Sequence, residues 1–152
     1  MQFLAGLMFV VLIAGASCNK AVDDKDKDPK PTNTVKESAV VVEINKYRAK
    51  HGLKPYEFHP QLQQAAEAHA ADMAKHNRMS HTGSDGSDFV ARVKRTGFKP
   101  GGGGEIIAGS GDPAQSVSMW SQSSGHNAQM LGNRRYVGGA VSGEFACAVF
   151  FD

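Results

Sequence analysis

A chain of 152 residues makes one domain the first expectation, and 17 Lys and Arg against 15 Asp and Glu leave a formal net charge of only +2. That balance, with no basic stripe interleaved with aromatics, excludes nucleic acid as an expected partner. Only Cys18 and Cys147 carry thiols, and with Cys18 near the N-terminus no disulfide is expected inside the domain, so the fold must stand on its apolar core.

Residues 1–17 are uncharged and mostly apolar. The run 3–14 is too short to be read as a membrane span but suits the core of a signal peptide. It ends in Ala14-Gly15-Ala16-Ser17 directly before Cys18. This is similar to a bacterial lipoprotein signal, in which that Cys is lipidated and becomes the new N-terminus. Gly15 stands where such signals carry a bulky aliphatic residue, and basic residues are missing at the extreme N-terminus. An ordinary cleaved signal peptide and a retained span therefore remain as alternatives. Acylation at Cys18 would supply more than one chain, which stable anchoring requires, and makes the membrane the expected partner. Residues 18–35 are rich in Lys, Asp, Pro and Thr, have no apolar face to bury, and read as a disordered tether. Within them Asp23-Asp24-Lys25-Asp26-Lys27-Asp28 loosely resembles surface-export signals of some Gram-negative lipoproteins, with a solvated spacer as the alternative. The expected location is secreted, at the cell envelope or surface.

Residues 36–152 form the expected domain, a length that buries an ordinary single core. In 37–50, Val40, Val41, Ile44 and Tyr47 recur at three- and four-residue spacing, which predicts a helix stopped by Gly52. A second helix is expected from Pro60 to near Asn77, with a small-residue face of Leu62, Ala65, Ala66, His69, Ala70, Met73 and Ala74. The composition of 82–87 predicts a loop, and Ser87 is the expected cap of a short helix over 88–96. Residues 99–104 end in four glycines and are expected to be irregular, turning sharply into a short buried segment, Glu105-Ile106-Ile107-Ala108. Asp112-Pro113 predicts a cap and first turn for a helix running through Trp120, the only tryptophan and the expected anchor of that helix in the core. Gly125-His126 reads as a turn and 128–131 as a single helical turn. Residues 136–141 and 145–151 read as a hairpin closed by Ser142-Gly143-Glu144, with Cys147 expected as a buried small thiol. Helices first and strands later predict an α+β domain with an antiparallel sheet.

Chemistry has one evident home. Ser80-His81, Gly104-Glu105 and Ser124-Gly125-His126 put two imidazoles and a carboxylate beside glycine or serine on expected loops. His69 and His76 are expected within the helical layer, and His51 and His59 at the surface or as helix caps. No Asp is placed to complete a serine triad, and the glycines at 101–104 lack the Lys-Ser/Thr of a phosphate loop.

Ile44-Asn45-Lys46-Tyr47-Arg48-Ala49 with Gly52-Leu53-Lys54-Pro55 resembles the opening of the CAP superfamily, the cysteine-rich secretory, antigen 5 and pathogenesis-related proteins with SCP-like domains. The match continues through Ala68-His69-Ala70-Ala71-Asp72-Met73-Ala74, Ser80-His81 and Gly83-Ser84-Asp85-Gly86-Ser87. Gly104-Glu105-Ile106-Ile107-Ala108 corresponds to the Gly-Glu-Asn motif, and Trp120-Ser121-Gln122-Ser123-Ser124-Gly125-His126 to the tryptophan followed by Ser-Pro-Gly-His. The resemblance spans roughly 38–151. It implies an α-β-α sandwich with a three-stranded antiparallel sheet between helical layers, and a central cavity lined by His81, Glu105 and His126. The second glutamate of eukaryotic members is absent from 118–124. Ile106, Ser124 and Asn127 replace the usual Asn, Pro and Arg, and Phe145-Ala146-Cys147-Ala148-Val149-Phe150 stands where Tyr-Trp-Thr-Gln is common.

Two imidazoles and a carboxylate make a sensible ligand count for a divalent metal, zinc above all, with open positions for water or substrate. Without metal the trio reads as an acid–base cluster. The readings carried forward are a surface binding module for a metal or small ligand, a metal-assisted hydrolase of peptides or cell-wall material, and a structural protein with a vestigial cleft.

Overall fold

The structure, a computed structural model, describes residues 36–152; the expected signal, Cys18 and tether lie outside the described residues. Among the described residues five helices and four strands follow in the order α1 (Ala39–Lys50), β1 (Glu57–Phe58), α2 (Pro60–His76), α3 (Phe89–Arg95), β2 (Gly103–Ala108), α4 (Pro113–Ser121), α5 (Ser124–Leu131), β3 (Tyr136–Ser142) and β4 (Phe145–Phe151). None of the described helices is long and apolar enough to cross a membrane.

Most helix ends are set locally. Ser38 caps α1 by accepting from Val41 N–H, and Asp112 caps α4 by accepting from Gln115 N–H ahead of Pro113. His59 caps α2, its ring nitrogen accepting from Gln61 N–H, and α2 ends where Asn77 turns left-handed at φ 45°. The cap of α3 is Asp88 rather than Ser87: its carboxylate accepts from Ala91 N–H at 2.7 Å. The expected turn at Gly125-His126 is the first part of α5, opened by Asn127 N–H donating to Ser123 O at 2.8 Å.

The sheet has four strands in the order β1-β3-β4-β2, and it is mixed rather than three-stranded and antiparallel. β3 and β4 form the expected hairpin, with Gly143 at φ 53° in its turn, and β2 pairs antiparallel with the far side of β4. The added strand, β1, pairs parallel with β3 through Glu57↔Tyr136 and Phe58↔Val137. Two residues carry no readable alternation, and a parallel partner lies far along the chain, so local pattern cannot show it.

Every residue of β4 is buried, because helices cover both faces of the sheet. Strand alternation sends Ile106, Ala108, Ala146, Ala148 and Phe150 into one core with α1, α4, α5 and the fully buried Trp120. Ile107, Phe145, Cys147, Val149 and Phe151 enter a second core with α2 and Val93 of α3. Trp120 donates its indole N–H to Ile107 O at 2.9 Å, tying α4 to β2. The glycines at 101–104 do not make a sharp turn: none has positive φ, and β2 already begins at Gly103. They permit close approach instead. A Cβ on Gly103 would overlap the Phe151 ring, and one on Gly104 the Gln129 side chain.

Candidate functional site

Glu105 is the second position after the start of pairing in β2, opposite Val149, and alternation turns it to the α2 side with Ile107. Its side chain is only 1% exposed. A buried carboxylate needs partners, and four side chains converge on it. His81, in the loop after α2, places Nδ1 2.9 Å from Glu105 Oε1. Arg92 of α3 donates Nη2–H to Oε2 at 2.6 Å. Cys147 directs its thiol at Oε2 from 3.7 Å, and His69 Nε2 stands 3.8 Å from Oε1.

Arg92 holds the site in a second way. Nη1 donates to Ser87 O at 2.7 Å and Nη2 to His81 O at 3.1 Å, so one guanidinium fixes both ends of the loop that carries His81. His69 fixes its start: Nε2–H donates to Ser80 O at 2.9 Å. That bond sets the tautomer of His69, leaving Nδ1 as an acceptor, buried and without a partner. Burial, more than any nearby charge, holds His69 below the ordinary imidazole range. Burial, then the Glu105 charge, pushes the Cys147 thiol well up, so it remains a neutral donor and no nucleophile.

A carboxylate paired with Arg92 can only accept, so His81 Nδ1 carries the proton toward it, and in the neutral ring Nε2 is then the acceptor. The His81 side chain is 55% exposed, which puts that acceptor on the water side. His126, half-buried in the first turn of α5, belongs to the helical layer on the opposite face of the sheet. It makes no hydrogen bond among those described, and its imidazole is held below the usual range by burial and then by the neighbouring His81. The structure therefore joins His81 to Glu105 directly and brings His126 into the electrostatic neighbourhood of His81.

This bears on metal. Both oxygens of Glu105 are engaged, one by His81 and one by Arg92, and among the described residues no cluster of three or more His, Cys, Asp or Glu is arranged to hold an ion. The carboxylate does not fit as a ligand. The donors left over are His81 Nε2 and His126, with Glu105 standing behind His81 as the acceptor that orients a ligating imidazole.

His69 and Arg92 were not among the expected site residues. Their signals were a histidine on the alanine face of α2 and an arginine at the buried side of α3, both nearly closed to solvent. A cavity of about 350 Å³ opens beside them, lined by α2, the 83–87 loop and α3, and it does not include His81, Glu105 or His126.

Three solved structures share this fold. An extracellular SCP-domain protein from Bacillus anthracis matches with a TM-score of 0.69 at 24% identity, over 74% of this chain and 38% of that one. An outer surface protein of Borrelia burgdorferi matches with a TM-score of 0.65 at 19% identity, over 74% and 89%. A cysteine-rich secretory protein from Staphylococcus aureus matches with a TM-score of 0.62 at 15% identity, over 81% and 40%. The chain thus spans about two fifths of the Bacillus and Staphylococcus chains. No curated protein matches it. The model of the CAP, or cysteine-rich secretory protein, family matches residues 41–149, and the chain belongs to that family.

Proposed function

We propose that this CAP domain is an extracellular binding module whose ligand site is the His81/His126 pair, with Glu105 and Arg92 as positioning residues. The observation that carries the reading is the buried Glu105 carboxylate, which fixes an exposed imidazole in one tautomer with its acceptor nitrogen outward. Such an imidazole is ready for a divalent cation, zinc first, or for a small ligand that brings a donor. Location follows from the lipoprotein-like signal, Cys18 and the polar residues 18–35, which would tether the domain to the membrane at the cell surface. The Borrelia and Bacillus neighbours, described as an outer surface and an extracellular protein, support that setting.

Calorimetric titration with zinc, then with other divalent ions, tests the reading by comparing the parent with the His81→Ala/His126→Ala double variant. Saturable binding in the parent alone is the expected result. Equal binding in both, or none in either, removes the pair as a metal site and leaves a structural polar cluster. Intact mass of the membrane fraction tests the anchor: a soluble mature form beginning at a residue other than Cys18 excludes it.

A second reading rests on the same His81–Glu105 bond, since a carboxylate-oriented imidazole is also the arrangement of a general base. On it the domain is a hydrolase of extracellular peptide or cell-wall material. His81→Gln would then fold normally and lose turnover; unchanged turnover, or none in the parent across such substrates, ends it.

A further inference from the structure

β2 is an end strand of the sheet, so one of its edges has no strand beside it. Which residues turn their main chain to that edge follows from the ladder. Asp152 N–H donates to Gly102 O at 3.2 Å where the pairing of β2 with β4 begins. Antiparallel pairs alternate, so Gly104, Ile106 and Ala108 also bond to β4, while Gly103, Glu105 and Ile107 turn N–H and C=O outward. Trp120 fits this alternation by donating to Ile107 O. Exposure follows it too: Gly103 and Glu105 are partly exposed, and Gly104 and Ile106 between and after them are buried. The Glu105 side chain is only 1% exposed, so what is open at that residue is its main chain.

Elsewhere the chain answers outward main-chain groups with its own side chains. Gly139 of β3 donates its N–H to Gln63 Oε1 at 3.1 Å, and its C=O accepts from Ser38 Oγ. Beside β1, the Asn45 amide serves both groups of Tyr56 as a strand would, accepting from its N–H at 2.8 Å and donating to its C=O at 3.1 Å. Gly103 and Glu105 have no such partner among the described residues. Nor does β2 carry the usual guards of an edge, since it has no lysine and no proline, and Gly103 has no side chain at all. Its one charge, Glu105, is turned into the α2 face and neutralised by Arg92 at 2.6 Å. What remains is two N–H and two C=O groups on one side of a strand, repeating at about 7 Å, which is the repeat of an extended main chain. His81 stands over this stretch, bonded to the Glu105 carboxylate at 2.9 Å, and His126 comes from the opposite face within reach of the His81 charge.

We propose that the Gly103–Glu105 edge of β2 binds an extended peptide segment as an added strand, beside the exposed imidazole of His81. This names the ligand class of the His81/His126 site, and it rests on the reading of that pair as a ligand site. Main-chain hydrogen bonds to Gly103 and Glu105 hold the peptide, and its alternate side chains on the α2 side face His81. A peptide whose amides are methylated lacks the donors that the two C=O groups require.

The test uses the intact 15N-labelled chain and an acetylated, amidated pentapeptide of alternating threonine and valine, with a second version N-methylated at two adjacent residues. In the free protein the Gly103 and Glu105 amides should exchange with solvent quickly, and those of Gly104 and Ile106 slowly. The plain peptide should shift the Gly103 and Glu105 amide resonances saturably and slow their exchange, and the methylated one should bind roughly tenfold more weakly. Equal binding of the two peptides overturns the proposal, as does the absence of a saturable response up to the solubility of the plain peptide. Gly103 and Glu105 amides already protected in the free monomer overturn it, because the chain then covers its own edge. The same protection in a free protein that sediments as a dimer also overturns it, because a second copy is then the occupant. The zinc titration reads the His81 and His126 imidazoles instead. Zinc binding without a peptide response therefore removes the peptide alone, and a peptide response without zinc binding removes the metal alone.

Discussion

The two faces of one sheet are built on opposite principles. Toward α1, α4 and α5 the sheet buries Ile106, Ala148, Phe150 and the Trp120 ring, and the core holds mainly by apolar packing, with the Trp120 indole bonded to Ile107 O. Toward α2 and α3 the same strands bury a carboxylate, answered by a guanidinium, two imidazoles and a thiol. Alternation along β2 assigns Glu105 to one face and Ile106 to the other, so one residue of register separates a polar centre from a hydrocarbon core. A core of hydrocarbon stabilises by area. A buried ion pair adds little net stability over a well-packed apolar substitute but is costly to break, and it fixes geometry.

The largest expected effects test that contrast directly. Arg92→Leu leaves Glu105 buried beside no cation and should cost about 3–5 kcal/mol by urea denaturation. Trp120→Ala should cost a similar ~3–5 kcal/mol on the other face. The second change distinguishes them: adding Glu105→Leu to Arg92→Leu should recover much of the loss, whereas no partner substitution restores the Trp120 cavity. If the double variant is as unstable as the single, the polar face is not an isolated ion pair, and the loop carbonyls that Arg92 binds carry the stability.

Next come the glycines of β3, where both helical layers approach closely. A Cβ on Gly138 would overlap the backbone of Leu62 and Gln63 in α2, which cannot yield without moving the helix. A Cβ on Gly139 would meet Val40 Cγ1 at 2.8 Å on the other face. Gly138→Ala should therefore cost about 1–3 kcal/mol or more, and Gly139→Ala less, because a valine side chain gives way more easily than a helix backbone. Equal losses would mean that the two layers are equally rigid.

A smaller effect is one of pH. Burial lowers the proton affinity of His69 in the folded chain, so the unfolded chain binds more protons once pH drops below the ordinary imidazole value of about 6.5. Stability is then full above that value and is lost as pH falls toward the lower folded value. His69→Gln should flatten this decline, with His59 and His126, shifted the same way, keeping part of it. An unchanged slope would remove His69 as its source. The smallest effect belongs to the exposed Arg135–Glu57 pair at 3.2 Å: Arg135→Ala should cost less than ~1 kcal/mol.

Much of the polar face was legible in pieces. His81 and Glu105 stood out because each lies in a short motif beside glycine or serine, and the structure does bond them. Arg92 and His69 did not stand out, because a lone arginine or histidine on a helix is ordinary until the helix is docked. The glycines at 101–104 were visible as an anomaly but misread: their task is approach to Phe151 and Gln129, and both neighbours arrive from distant parts of the chain. Gly125 suggested a turn, since glycine weakens helices, yet it falls in the first turn of α5.

By itself the sequence determined what depends on neighbours along the chain. The capping of α4 by Asp112, the stop of α2 near Asn77 and the β3–β4 hairpin all follow from contacts within a few residues. Only the tertiary structure decided what depends on chain segments brought together from afar. It set the parallel β1, the place of β2 at the sheet edge, and the pairing of Arg92 with Glu105. It also brought His126 into the electrostatic neighbourhood of His81. Local signals reach a turn or two of helix, whereas the partner of a buried charge is chosen by how whole helices pack across a sheet.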